Sequence, residues 1–109
     1  MSIRKEKSST MAFLEELTGV PLTLGGTLEA IRLGEEMSQV EFARMLGISR
    51  SHLCDIEKGR KAVSPVRAEE FARILGYSES QLVRLSLEAQ VIPLHKHYKI
   101  LVEEIRLAA

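Results

Sequence analysis

The chain has no tryptophan, a single cysteine, three prolines and no excess charge of either sign. Each shortage excludes something. Three phenylalanines and two tyrosines are its only aromatic side chains. Its core must therefore be built from Leu, Ile, Val, Met and Ala, a mixture that favours packed helices over sheets. Cys54, standing alone, can neither close an intramolecular disulfide nor furnish a cysteine-based zinc site, and it suits a reducing cytoplasm. Nowhere do about 18 apolar residues run together, so no membrane-spanning helix is expected. Met1 to Lys7 are charged and no apolar stretch of about 7–15 residues follows, so a secretory leader is not expected either.

Enough remains for one compact domain. Apolar residues are 45% of the 109, enough to bury a core and too many for a disordered chain. Zero net charge would speak against a nucleic-acid partner only if the charges were evenly mixed. Residues 38–61 carry Arg44, Arg50, Lys58, Arg60 and Lys61 against Glu41, Asp55 and Glu57, while Glu15, Glu16, Glu29, Glu35 and Glu36 concentrate acid before them. Surface charges act over only about 8–10 Å in physiological salt, so this local polarity outweighs the sum.

Along the chain, residues 1–22 read as an N-terminal arm, in which MAFLEEL (11–17) fits a short helix ended by Gly19 and Pro21. Residues 23–90 read as a series of short, capped helices. The first is expected over 24–36 after Thr23, with Leu24, Leu28 and Ile31 on one stripe, although Gly25 and Gly26 weaken its first turn. Ser38-Gln39-Val40-Glu41 has the pattern of a capping box, in which each end satisfies the other's free amide. Val40, Phe42, Ala43 and Leu46 supply that helix's apolar contacts, and Gly47 suits its left-handed end. Ser49 caps the next helix, with Leu53 and Ile56 facing inward and Lys58-Gly59 closing it. Ser64-Pro65 opens a fourth with Phe71, Ile74 and Leu75 as its apolar face, and Gly76 stops it. Ser78 to Gln81 opens a fifth with Leu82, Leu85 and Ala89. Leu94, Tyr98, Leu101 or Val102, and Ile105 form a sixth stripe, so residues 91–109 are expected to be a C-terminal helix and a dimerisation element.

The informative feature is the pair of helices joined across Gly47-Ile48-Ser49. So short a turn forces a large crossing angle and presents the second helix as a ridge, able to enter a major groove about 12 Å wide. With Leu53 and Ile56 inward, about 100° per residue sets Arg50, Ser51, Cys54, Asp55 and Lys58 on or beside the outer face. Arg50 can pair with guanine through two hydrogen bonds, and Asp55 can accept from cytosine N4. Gln39, among free helix amides, is placed for a phosphate, as are Ser49 and Lys58. Arg60 and Lys61, just past the helix, are placed to grip the DNA backbone.

The stretch from Leu24 to Leu85, above all SQVEFARMLGISRSHLCDIEKGR, resembles the Cro/CI (XRE-type) family of helix-turn-helix regulators. Ser38-Gln39, Glu41, Ala43, Leu46-Gly47-Ile48-Ser49, Ile56-Glu57, Gly59 and Leu75-Gly76 carry the likeness together. The resemblance implies an all-α, lambda-repressor-like domain of five helices. It implies base contacts from Arg50, Ser51 and Asp55 and a phosphate contact from Gln39; Cys54, on the same outer face by spacing, stands at the margin of that reading set. It also implies a structural bridge between Arg32 and Glu57. Asp55 departs from the family, where many members carry a neutral or basic residue, and this bears on which base is preferred. Relatives bind palindromic double-stranded DNA as homodimers, and small ones with extra terminal segments are often antitoxins that also bind a toxin protein.

Neither an enzyme nor a cofactor site is expected. Ser, His and Asp residues occur, but without a nucleophile-elbow or phosphate-loop pattern around them. On a helix, His95 and His97 would point about 200° apart, with no third metal ligand near. Cys54 has cations only four residues away, at Arg50 and Lys58, and reads as a small side chain filling a gap.

Overall fold

The computed structural model describes residues 23–94 and 98–107. Among the described residues five helices follow one another: α1 (Leu24–Gly34), α2 (Gln39–Leu46), α3 (Arg50–Glu57), α4 (Pro65–Leu75) and α5 (Glu79–Val91). No strand occurs among the described residues, and the domain is all-α and lambda-repressor-like. The N-terminal arm at 1–22 with its MAFLEEL helix, and His95 and His97, lie outside the described residues.

Each of these five helices opens on a hydroxyl. Thr23, Ser38, Ser49, Ser64 and Ser78 each accept a hydrogen bond from the amide three residues on, which satisfies one orphan donor and contributes about 1 kcal/mol per helix. At Ser38 the box is complete: the Glu41 carboxylate accepts the Ser38 amide at 3.1 Å. That bond holds the Glu41 carboxyl below its ordinary value. At Ser78 the serine hydroxyl lies 3.1 Å from that of Ser80 instead. Gly47 and Gly76 close α2 and α4 with φ of 74° and 73°, a left-handed conformation that a side chain would oppose.

One large side chain from each helix meets at the centre. Leu28, Phe42, Leu53, Phe71 and Leu82 are all fully buried, so the five short helices share a single core. The loop between α3 and α4 is tied to this body twice. Val63 is buried in it, and the Ser86 hydroxyl of α5 donates to the Val63 carbonyl at 2.8 Å.

Three expectations need correction. The first helix stops at Gly34 and not at residue 36, because Glu36 takes a positive φ of 56° and turns the chain toward α2. Val40, Ile74 and Ala89, expected on inward faces, are exposed: Phe42, Ala43 and Leu46 of α2, Ala68, Phe71, Ala72 and Leu75 of α4, and Leu82, Leu85 and Ser86 of α5 fill those faces instead. The C-terminal helix expected over 91–109 is not present at residues 98–107, and Val91 is instead the last residue of α5. The expected stripe is left largely uncovered by the described residues, for Leu94, Tyr98, Leu101 and Ile105 are 52–81% exposed. An amphipathic helix draws most of its stability from burying such a stripe. Burial there alternates, with Ile100 and Val102 half-buried on either side of exposed Leu101.

Tyr77, buried just after α4, makes the fold sensitive to alkali. Burial, with help from the Glu35 carboxylate, pushes its phenol up to about 12. Because the folded state holds this proton more tightly than the unfolded chain, the contribution is intact below about pH 10 and is lost as the pH rises from there toward about 12. Thermal midpoints measured across that range should fall more steeply for the wild type than for Tyr77→Phe. Parallel slopes would remove Tyr77 as the cause.

Candidate nucleic-acid interface

The turn between α2 and α3 is set by backbone hydrogen bonds. The Gly47 amide donates to the Arg44 carbonyl at 3.2 Å and the Ile48 amide to that of Ala43 at 3.0 Å. The chain can fold back in this way because Gly47 is left-handed. Ser49 then caps α3 and Ile48 packs half-buried against the core.

Three contacts fix the attitude of α3. Leu53 and Ile56 are buried beneath it. Its C-terminal turn meets α1 backbone to backbone: a Cβ built on Gly25 would stand 2.0 Å from the Ile56 carbonyl oxygen and 3.3 Å from Glu57 Cα. The glycine that weakens the first turn of α1 is thus what lets α3 approach. The third contact is ionic. Arg32 of α1 donates Nε to Glu57 Oε2 at 2.8 Å and Nη2 to Glu57 Oε1 at 3.1 Å, and the Glu57 side chain is 1% exposed. Arg32 also donates Nη1 to the Met37 carbonyl at 3.2 Å, ordering the chain between α1 and α2. The carboxylate of Glu57 holds the Arg32 guanidinium above its ordinary value.

Gln39 joins the same cluster. At the first turn of α2, its Nε2 donates to Glu57 Oε1 at 3.0 Å. One amide hydrogen is thereby spent on the scaffold and the second remains for another acceptor. Glu57 therefore ties α1, α2 and α3 together at one carboxylate.

The outer face of α3 carries the remaining candidates. Arg50 and Ser51 are exposed at its start, Cys54 and Asp55 are half-buried one turn later, and Lys58 is exposed at its end. Ser49 is exposed beside them, as are Arg60 and Lys61 in the following loop. The left-handed Gly59, with φ of 77°, reverses the chain so that the Arg60 and Lys61 amides both donate to the Asp55 carbonyl, at 2.8 and 3.2 Å. The Arg60 side chain follows, with Nε on Asp55 Oδ1 at 2.9 Å and Nη2 on Cys54 Sγ at 3.8 Å. Two features escaped sequence reasoning, the Gln39–Glu57 bond and the Arg60–Asp55 pair. The second had a signal: a five-residue spacing between opposite charges across a glycine.

A family model described as helix-turn-helix matches residues 28–82, just over half of the chain. The chain belongs to the XRE-type helix-turn-helix family. Comparison with curated proteins and with solved structures gave no match. Membership makes this chain a DNA-binding transcription regulator, and the matched span contains every residue of the interface from Arg32 to Lys61. Residues 98–107 lie beyond it. No helix among the described residues is long and apolar enough to cross a membrane.

Proposed function

We propose that this XRE-type chain is a homodimeric repressor that recognises a palindromic operator by laying α3 in the major groove. The observation that carries this reading is the pose of α3. Its inner face is fixed by Leu53, Ile56 and Glu57, and its outer face offers Arg50 and Ser51 to base edges. Gln39, Ser49, Lys58 and Lys61 surround that face as donors for phosphates. Gln39 suits this role because Glu57 already restrains its side chain, so little freedom is lost on binding. Cys54 and Asp55 lie on the same face, a turn deeper.

Selecting bound duplexes from a random pool tests the reading. The expected product is an inverted repeat with half-site centres about 10 base pairs apart, or a multiple of that, bound with an affinity that falls steeply with salt. Arg50→Ala should weaken binding by about 1–3 kcal/mol and relax one base position. Gln39→Ala should weaken all sequences alike. Unchanged affinity and preference in Arg50→Ala would mean that another face reads the DNA.

A second reading keeps the DNA binding and adds a toxin partner, making the chain an antitoxin that represses its own operon. It is favoured by residues 98–107, where Tyr98, Leu101, Ile105 and Leu107 are exposed outside the matched domain. Such an apolar segment suits a protein partner. A pull-down from the native cells that recovers only this chain would leave the second copy as that partner.

A further inference from the structure

We infer that Arg60, from the loop after α3, is a base-reading residue specific for guanine, and that Asp55 is the positioning residue that aims it. The inference rests on the DNA-binding reading above and divides the labour of α3 differently from the sequence, which set Asp55 on a base and Arg60 on the backbone.

The geometry is that of a braced arginine. A guanidinium has five N–H donors in a plane, on two usable edges. One edge of Arg60 is occupied, Nε by Asp55 Oδ1 at 2.9 Å and Nη2 by Cys54 Sγ at 3.8 Å. The other edge, formed by Nη1 and the second hydrogen of Nη2, has donors to spare, and the side chain is 57% exposed. Two parallel donors on one edge match guanine O6 and N7 in the major groove.

The brace is doubled in the backbone. The Arg60 amide donates to the Asp55 carbonyl at 2.8 Å, so main chain and side chain are both referred to one residue of α3. A loop arginine gripping phosphate would need no such restraint, since phosphate contacts tolerate many geometries and carry no sequence information. Base reading needs the plane of the guanidinium fixed.

The same pairing makes a carboxylate tolerable beside DNA. A bare carboxylate in the groove would be repelled by phosphates, whereas one already neutralised by Arg60 is not. Asp55 has little to offer cytosine while one oxygen is engaged and its side chain is only 31% exposed.

The test is selection from a random duplex pool with the full chain and with Arg60→Lys and Asp55→Asn. Lysine keeps the charge but has no two-donor edge, and asparagine keeps the shape but loses the ionic brace. Both residues lie outside the core, and thermal unfolding of each variant verifies the fold. The wild type should show a guanine at one position of each half-site. Both variants should lose preference at that same position by about tenfold or more while keeping the position governed by Arg50. Arg60→Lys should leave the salt dependence unchanged. If Asp55→Asn alters a different position from Arg60→Lys, Asp55 reads its own base and the inference falls. It falls equally if Arg60→Lys leaves every position as it was. A wild-type chain that enriches no sequence at all overturns the DNA-binding reading, and the inference with it.

Discussion

Glu57→Ala is expected to lower folding stability by about 3–5 kcal/mol, the usual result of leaving one member of a buried ion pair unpartnered. The carboxylate is 1% exposed and accepts three hydrogen bonds, two from Arg32 and one from Gln39. Its removal strands a guanidinium that is itself only 12% exposed. A surface pair would contribute a few tenths of this, because water would solvate the survivor. For a domain of this size the thermal midpoint should drop by more than about 10 °C. The double variant Arg32→Met/Glu57→Leu separates charge from shape. Replacing both partners by apolar groups removes the unpaired charge, so it should recover most of the loss. A single-variant loss below about 1 kcal/mol would show that water reaches the pair.

Gly25→Ala is the second large effect, expected to be about 3 kcal/mol and at the upper end for an overpacked site. The added methyl would stand 2.0 Å from the Ile56 carbonyl oxygen, a backbone atom that cannot swing aside alone. Either α1 or α3 must move bodily, and each carries core residues with it. Because α3 also carries the reading face, DNA affinity should fall further than the stability change alone explains. Gly34→Ala is the matched control. It has open space around its Cβ, lies at the end of the same helix, and should be neutral or slightly stabilising. Urea unfolding of both variants decides the matter, since equal midpoints would mean that the close approach is not maintained in solution.

What the sequence conveyed about this fold was whatever lies within a few residues. Ser38 with Glu41, Ser49, and Ser64 with Pro65 announce helix starts because their hydrogen bonds close over three residues. Gly47 and Gly76 announce ends because only their own φ is at stake. The Arg32–Glu57 bridge spans 25 residues and was accessible through family resemblance alone. Gln39's bond to Glu57 spans 18 residues and has no local mark either. The role of Gly25 was misread as weakness, since helix propensity says nothing of a neighbouring backbone. The C-terminal stripe failed for a related reason. Periodicity reports that a face exists, and Leu101 at 81% exposure is not covered by any of the described residues.

The inner anchors of α3 are Leu53, Ile56 and Glu57, while its outward groups are Arg50, Ser51, Cys54 and Asp55. No residue belongs to both sets. Drift in the outward set therefore meets little resistance from the fold, and changes of operator can accumulate without passing through unfolded intermediates. The inner set, with Gly25 and Arg32 behind it, has no such latitude. Lineages descending from this chain should diverge in what they regulate far sooner than in how they hold the helix that does the regulating.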